Sequence, residues 1–515
     1  MKVVDGAFVW RLYDTYGFPT DLTRLMAQEN GLSIDEEGFE KAQAEAREIS
    51  KRRKEGKGGE EVLKLDIHER GILEQDTSVP KTDDSFKFNL EPISAEIKAI
   101  FSKSTSFTKS TEGIDDSEQI GIILDKTNFY AEQGGQEYDT GRITIDGQAD
   151  FEVNNVQAYK GYVMHTGYLT SGNLKVGDKV IATYDELRRW PIKNNHTGTH
   201  ILNFALREVF GTGVDQRGSL VAAEKLRFDF SYGVCTFLYS ANNQQPCKDE
   251  ELARVEDICS EYISRNCKVY AEDVPLNIAE TIRGVRKIFE EKYPNPVRVV
   301  SVGIPLPEIL ADVNNEKWVK ISIEFCGGTH VAKTGDIKEL VILTEESIAK
   351  GVRRIFAVTG SDAEEACRLA NDFDAKLKKV ERLPFSLEKL TYAQSLKGEN
   401  DKELKGLIPA VRRSEFTSRI KAVEAEGQKM AKEKAKADEK LIISTITDYF
   451  QGEGEKKPGL VALLNVTPDP KLLTNAITTA MKKWQRKKSV YIIAADHSKV
   501  VHVCYVPNVS PLLYT

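Results

Sequence analysis

Residues 185–211, DELRRWPIKNNHTGTHILNFALREVFG, predict a helix that ends at Gly211, because glycine is favoured just past a helix C-terminus. His196 and His200 lie four residues apart within this helix. Side chains with that spacing project from one helical face, so the two imidazoles can ligate one metal ion. The chain has only seven histidines among 515 residues, which makes the spacing notable. A pair of ordinary polar histidines is the alternative interpretation.

A second pair with the same spacing stands in CGGTH at 326–330, where two glycines make a tight turn between Cys326 and His330. The strand-like stretch VKISIEF precedes it, which places the thiol on a loop at a strand end. One thiolate and three imidazoles make a tetrahedral ligand set of the kind that zinc prefers. The interval between the pairs is too long for a zinc finger, so we predict that a folded domain brings them together.

Length, composition and cysteine usage limit the class of protein. A chain of 515 residues is too long for one core and predicts several domains. It has no apolar run long enough to span a bilayer, so no membrane partner is expected. Seven widely spread cysteines are typical of a reducing compartment, which favours a cytoplasmic location. A net charge of −7 argues against a protein that coats nucleic acid by bulk electrostatics.

Local patterns predict an α+β multidomain fold. Helical periodicity opens the chain, and residues 86–184 contain short β-branched runs that predict hairpins or a small barrel. Beyond the predicted zinc domain the chain becomes lysine-rich and helical, and the stretch from Arg412 to Ile442 predicts an exposed or coiled helix. Residues 458–515 predict a β-α-β-β arrangement in a truncated α/β domain.

Residues close to the two pairs in the sequence favour a catalytic metal site over a purely structural one. Thr199 lies beside His200, Gln216 follows in GVDQRGS, and the glycines of CGGTH expose backbone N–H groups. A hydroxyl, a carboxamide and free amides suit a site that binds a polar substrate and stabilises an oxyanion. The residues alone therefore indicate a zinc hydrolase, with a structural zinc domain as the alternative.

Six motifs in order along nearly the whole chain resemble the alanyl-tRNA synthetase family, most closely its eukaryotic cytosolic type. They are LYDTYGFPTDLT (12–23), FYAEQGGQEYDTG (129–141), HTGTH (196–200), QRGSLVAAEKLRFDFS (216–231), CGGTHVAKTGDI (326–337) and GVRRIFAVTG (351–360).

The resemblance implies five parts in chain order. They are the end of the helical tRNA-recognition domain and a linker (1–60), a β-rich part of the editing region (61–190), a zinc-binding editing domain (191–360), a helical linker (361–440) and a partial C-terminal domain (441–515). The family's class II aminoacylation domain, which uses ATP and magnesium to attach alanine to tRNA(Ala), is expected to be absent. A homo-oligomer through the C-terminal domain is also expected.

The family's editing site hydrolyses Ser-tRNA(Ala) and Gly-tRNA(Ala) that were charged in error, so these mischarged tRNAs are the expected partners. The resemblance places zinc on His196, His200, Cys326 and His330. It places the catalytic side chains Thr199 and Gln216 in the amino-acid pocket, where they hydrogen-bond the serine hydroxyl or position water. A non-catalytic tRNA-binding portion that works only within a complete synthetase is the alternative function.

Further residues match family positions that contact tRNA or substrate. Asp14 matches an acid that helps to read the acceptor stem, and the loop residues Gly134, Gly135 and Gln136 lie beside the editing pocket in the family. The candidates for phosphate contacts are Arg353 and Arg354, for which a buried ion pair is the alternative.

Overall fold

The computed structural model describes residues 63–211, 213–231, 247–288, 292–349, 351–484, 487–496 and 499–507, together with isolated residues before residue 42. The chain divides into two compact units, Met1–Glu364 and Glu365–Thr515. Asp14, the linker and most residues of the helices predicted near the N-terminus lie outside the described residues, and Ser33–Ile34, where one of those helices was predicted to begin, forms a strand instead. Within the described ranges, no helix combines the length and the apolar character that crossing a bilayer requires.

The first unit contains an antiparallel six-stranded barrel. Its strands follow the order β3-β5-β8-β7-β6-β9, β9 pairs back onto β3, and β4 extends the sheet beside β3. This confirms the small barrel predicted from the β-branched runs. Before it lie the strand pair β1 (Val3–Val4) and β2 (Ser33–Ile34) and helix α1 (Ile67–Gln75), and the barrel strands are β3 (Ile93–Ser102), β4 (Ser106–Thr108), β5 (Ile120–Leu124), β6 (Gly141–Ile145), β7 (Ala149–Tyr159), β8 (Tyr162–Ser171) and β9 (Lys179–Tyr184).

Side chains of alternate strand residues are buried and fill the interior of the barrel. Along β9 the side chains of Val180, Ala182 and Tyr184 are buried and the residues between them are exposed. Successive strand residues point to opposite faces, so one face of each strand supplies the core. Phe129, from the loop between β5 and β6, joins this core and is fully buried.

Helix α2 (Glu186–Phe210) follows the barrel and confirms the predicted helix, with Gly211 as its C-cap. Among the described residues that follow, two antiparallel sheets and three helices form, and α2 contacts the larger sheet and α3. The larger sheet has the order β10-β11-β16-β15, and the smaller one β12-β13-β14. These elements are β10 (Gln216–Val221), β11 (Leu226–Ser231), α3 (Asp249–Ser264), β12 (Val269–Val274), α4 (Leu276–Ala279), β13 (Val297–Val302), α5 (Leu306–Ala311), β14 (Ile323–Phe325), β15 (Leu340–Ala349) and β16 (Val352–Thr359).

The burial of α2 is unusual for a polar sequence. Every residue from Ile192 to Leu206 is buried, so this stretch of the helix is enclosed on all sides. Buried polar groups need hydrogen-bond partners, and Asn195 shows how the helix supplies them. Its Nδ2 donates to the carbonyl oxygen of Ala222 at 2.9 Å, and its Oδ1 accepts from the Thr359 hydroxyl at 2.7 Å.

The first turns of α2 are anchored to the barrel by Arg189, whose side chain is 1% exposed. Its guanidinium forms an ion pair with the equally buried Asp139 and donates to the carbonyl oxygens of Lys87 and Asn128 at 2.8 and 2.7 Å. It also lies 3.3 Å from the centroid of the Tyr184 ring. The neighbouring Arg188 pairs with Glu137 in a more exposed position.

The second unit contains a helical hairpin and a small α/β layer. The parallel pair β17–β18 and the antiparallel pair β18–β19 pack on α9 and on the end of α8, which confirms the predicted β-α-β-β arrangement. The helix predicted at Arg412–Ile442 forms, but it buries Phe416, Ile420 and Val423 against other helices, so only its middle lacks a buried face. The elements are α6 (Gly360–Arg382), which begins in the first unit, α7 (Leu387–Gly398), α8 (Ala410–Gln451), β17 (Gly459–Leu464), α9 (Pro470–Met481), β18 (Ser489–Ala495) and β19 (Val500–Tyr505).

The two adjacent arginines of α2 make a matched test of the anchor. Arg189→Met leaves the Asp139 carboxylate buried without its cation, so the free energy of unfolding should fall by about 3 kcal/mol or more. Arg188→Met removes a pair whose side chains are 21% and 27% exposed, and should cost about 1 kcal/mol or less. Urea unfolding of the two variants measures both losses, and equal losses would show that Arg189 is not the anchor.

Candidate metal centre

His196 and His200 occupy one face of α2, and the loop that follows β14 brings the second pair to them. The His330 ring centroid lies 4.5 Å from that of His196 and 4.7 Å from that of His200. The Cys326 Sγ lies 3.2 Å from the His196 Nε2. One potential ligand atom from each of the four residues lies within 4.8 Å of the others, so this quartet can hold a metal ion.

Burial keeps the three imidazoles of the quartet neutral. It lowers the pKa of His196 and of His330 well below the usual value, and neighbouring histidines lower both further. It also lowers the pKa of His200 to about 3, with Arg286 adding to the effect. A neutral imidazole is the form that ligates a metal, so the site favours the protonation state that binding requires.

Gln136, from the barrel loop 129–141, fixes the orientation of His196. Its Oε1 accepts from the Thr329 backbone N–H at 2.9 Å and lies 2.7 Å from the His196 Nδ1. Because this oxygen can only accept, the His196 Nδ1 carries the proton and its Nε2 presents a lone pair toward Cys326. A hydrogen bond of this kind sets the tautomer of a metal-ligating histidine.

The other two imidazoles also have polar neighbours. The Thr197 hydroxyl lies 3.1 Å from the His330 Nδ1, and the Glu324 carboxylate lies 3.9 Å from the His200 Nε2. The His330 Nε2 and the His200 Nδ1 are buried and have no hydrogen-bond partner among the described residues. Buried nitrogens without partners are costly unless something binds them, so the quartet fits a metal ion on its own geometry.

A small cleft of about 60 Å³ opens beside the quartet, and both predicted catalytic side chains line it. The Thr199 hydroxyl donates to the Asn195 carbonyl oxygen at 2.8 Å, so its oxygen keeps lone pairs to accept another hydrogen bond. The Gln216 Nε2 donates to the Ser219 Oγ at 2.9 Å. The structure thus places Thr199, Gln216 and the two α2 histidines around one space, and their catalytic roles stay predictions.

The glycines of loop 129–141 bring its backbone against β10. Gly134 and Gly135 have φ values of +58° and +83°, which glycine adopts readily. The Gly135 carbonyl oxygen accepts from the Val221 N–H at 2.7 Å, and an added Cβ there would meet the Ser219 Oγ at 2.4 Å, so glycine permits this approach. Gly134 lines the small cleft, whereas Gln136 is fully buried behind His196.

The two arginines of β16 are engaged in ion pairs. Arg353 pairs with Glu345, and both side chains are buried. Arg354 makes a two-pronged contact with Asp229, at 2.7 and 2.8 Å. The ion-pair alternative is therefore the observed arrangement, and phosphate contact by these residues stays a prediction.

Sequence reasoning missed a buried acid and a buried amide near His200. Glu324 lies in β14, two residues before Cys326, and its Oε1 accepts from the Asn203 Nδ2 at 3.1 Å. Burial raises the Glu324 pKa to about 7, although the Arg286 guanidinium opposes the shift. The acid inside the apolar stretch IEF could have indicated a buried polar contact at Glu324, because a buried strand position rarely holds an unpaired acid.

Two family models match the chain. A model described as tRNA synthetases class II (A) matches residues 1–188. A model described as threonyl and alanyl tRNA synthetase second additional domain matches residues 297–356, which include Cys326 and His330.

Relatives match over almost the whole chain. An alanine--tRNA ligase of Candida albicans is 50% identical over 98% of this chain and 50% of its own length. One of Schizosaccharomyces pombe is 48% identical over 98% of the chain and 51% of its own length. A Saccharomyces cerevisiae relative, named mitochondrial, is 49% identical over 98% of the chain and 50% of its own length. Other similar relatives are named cytoplasmic, so the compartment of this chain stays a prediction.

The adjacent glycines of CGGTH give a matched test of the quartet. A Cβ at Gly328 would lie 2.0 Å from the His196 Cε1 and 2.8 Å from the Gln136 Oε1, whereas a Cβ at Gly327 would meet nothing within 4 Å. Gly328→Ala should therefore displace the imidazole and weaken Zn²⁺ binding roughly tenfold or more, the loss typical of disturbed ligand support. Gly327→Ala should bind within about twofold of the unchanged protein, because nothing must move.

Competition titration with a chromophoric chelator measures both affinities. Equal affinities for the two variants would contradict the arrangement of Gly328, His196 and Gln136.

Proposed function

Because the chain belongs to the alanyl-tRNA synthetase family, we propose that its quartet and the adjoining cleft form an editing site. This site hydrolyses the ester of Ser-tRNA(Ala) and Gly-tRNA(Ala). The chain spans about half the length of the relatives that it matches. Attachment of alanine to tRNA(Ala) with ATP and magnesium is accordingly proposed for the longer family proteins.

Such a site is needed because alanine, glycine and serine differ by only a methyl or a hydroxyl group. A pocket that accepts the alanine methyl group cannot exclude glycine by size, and it rejects the added hydroxyl of serine only by about 10²-fold. A second site that accepts the hydroxyl and cleaves the ester supplies the missing discrimination.

The main support for this proposal is that Thr199 lines the cleft together with His196 and His200. Since the Thr199 proton is donated to Asn195, the oxygen is oriented to accept from a serine hydroxyl. Gln216 lies on the wall of the same cleft, where its carboxamide can hold the amino-acid group or an attacking water molecule.

Zinc is the proposed metal, because one thiolate and three neutral imidazoles make a typical zinc ligand set. A zinc ion bound there would polarise the ester carbonyl or lower the pKa of water. The protein residues supply the remaining functions. Gln136 and Thr197 hold the imidazoles, and Thr199 and Gln216 hold the substrate.

A deacylation assay tests the proposal. The purified chain with Zn²⁺ should hydrolyse Ser-tRNA(Ala) and Gly-tRNA(Ala) well above the spontaneous rate and leave Ala-tRNA(Ala) largely intact. Cys326→Ser should reduce both the zinc content and the hydrolysis, because a missing ligand loosens the others. Binding of tRNA(Ala) without deacylation would instead support the alternative, a tRNA-binding portion that acts only within a complete synthetase.

Thr199→Val isolates the specificity of the cleft. The substitution keeps the side-chain volume but removes the acceptor, so kcat/KM for Ser-tRNA(Ala) should fall roughly ten- to 150-fold. Gly-tRNA(Ala) has no side-chain hydroxyl, and its hydrolysis should change much less. Thr199→Ser keeps the acceptor and is the matched control.

Parallel deacylation assays on the seryl and glycyl esters measure both effects. Equal losses for the two esters would move Thr199 from recognition of serine to a role in the ester or water chemistry.

A further inference from the structure

The four-stranded sheet β10-β11-β16-β15 has one face toward α2 and another that is partly exposed. A Cβ added at Gly198 of α2 would lie 3.2 Å from the Leu340 Cδ1 and 3.6 Å from the Leu226 Cδ2, so these leucines belong to the inner face. Successive strand residues point to opposite faces, which places Arg227 on the other one. We call this other face the outer sheet surface. Its two central rows are Leu220, Arg227, Phe356 and Thr344, and Gly218, Asp229, Arg354 and Glu346.

Phe356 lies in the middle of the outer sheet surface, is partly exposed and is surrounded by cations. It stands opposite Arg227 on the neighbouring strand. The Lys225 ammonium lies 5.5 Å from the centroid of the Phe356 ring, and the Arg354 guanidinium carbon lies 6.0 Å from it. RNA-binding four-stranded sheets stack unpaired bases on aromatic side chains of this kind, and neighbouring cations neutralise the phosphates. The sheet therefore offers both parts of a surface for unpaired RNA.

The charge of the outer sheet surface suits a polyanion. The Arg227 and Arg354 side chains are 29% and 26% exposed, whereas that of Asp229 is only 8% exposed. Both Asp229 oxygens accept from Arg354, and the Arg227 Nε, 3.6 Å from one of them, has no hydrogen-bond partner within the described part of the chain. The other carboxylate of the two rows, that of Glu346, lies on the edge strand β15. Solvent therefore meets more of the guanidinium groups than of the Asp229 carboxylate, and Arg227 keeps a donor for a phosphate.

We propose that the outer sheet surface binds an unpaired RNA strand, with one base stacked on Phe356 and the phosphates at Lys225 and Arg227. A paired base has no free face to offer to a single ring, so the surface favours single strands over duplexes. RNA is the expected nucleic acid because the chain belongs to a tRNA synthetase family. The inference goes beyond the proposed editing function, since this surface faces away from α2, which carries His196 and His200.

Photo-cross-linking of the unchanged full chain locates the bound base. A short RNA that carries 5-iodouracil reacts on irradiation preferentially with an aromatic side chain stacked on that base. Mass spectrometry of the digested complex should find the RNA attached to Phe356. Cross-links confined to other aromatic residues would overturn the inference.

Phe356→Leu measures how much stacking contributes to the affinity. The substitution keeps an apolar side chain but removes the ring, so binding of the same RNA should weaken about tenfold, within the range for one base stacked on an aromatic side chain. Tyr392→Leu removes an exposed ring from α7 and is the matched control, which should leave the affinity unchanged. Fluorescence anisotropy titrations measure both dissociation constants. Equal effects of the two substitutions, or tighter binding of a duplex with the same sequence, would contradict the stacking of a base on Phe356.

Lys225→Gln and Arg227→Gln test the phosphate contacts. Each should lower the slope of log affinity against log salt concentration by about 0.7, the loss expected for one phosphate contact to a single strand. Lys175→Gln, at an exposed lysine in the barrel loop after β8, should leave the slope unchanged. Unchanged slopes for both surface variants would overturn the proposed contacts. None of these measurements uses hydrolysis of an ester, so the RNA surface and the editing function stand or fall separately.

Discussion

Two contacts on α2, seven residues apart, tie this helix to one loop of the barrel. Arg189 pairs with Asp139, and His196 meets Gln136. Seven residues make about two helical turns, so both contacts lie on the same side of the helix. The loop 129–141 therefore runs along the helix, and the ion pair that attaches the barrel also sets the position of Gln136. Any shift of that loop would turn the imidazole that Gln136 holds.

The quartet explains why the buried part of α2 contains polar residues. A helix enclosed on all sides is ordinarily apolar, and each buried polar group must find a partner. On α2 these partners come from three directions, namely the barrel loop, the turn between β10 and β11, and the loop after β14. The helix thus provides one side of a metal site, one wall of a cleft and an anchor for the barrel.

Local sequence patterns predicted individual helices and ligand residues, whereas contacts between distant residues determine how these are arranged. The glycine at the end of 185–211 predicted where α2 stops, and the spacing of HTGTH and CGGTH predicted the four ligands. Nothing local predicts that Gln136 reaches His196 across sixty positions, or that β9 closes the barrel onto β3. The role of Glu324 was missed for the same reason, since its partner Asn203 lies 121 positions away.

We infer that one metal ion is held jointly by α2 and by the loop after β14. X-ray absorption spectroscopy of the purified protein with one equivalent of Zn²⁺ tests it most directly. We expect one sulfur ligand at about 2.3 Å and three imidazole nitrogens at about 2.0–2.1 Å. A coordination shell without sulfur, or one with two sulfur ligands, would contradict the quartet of His196, His200, Cys326 and His330.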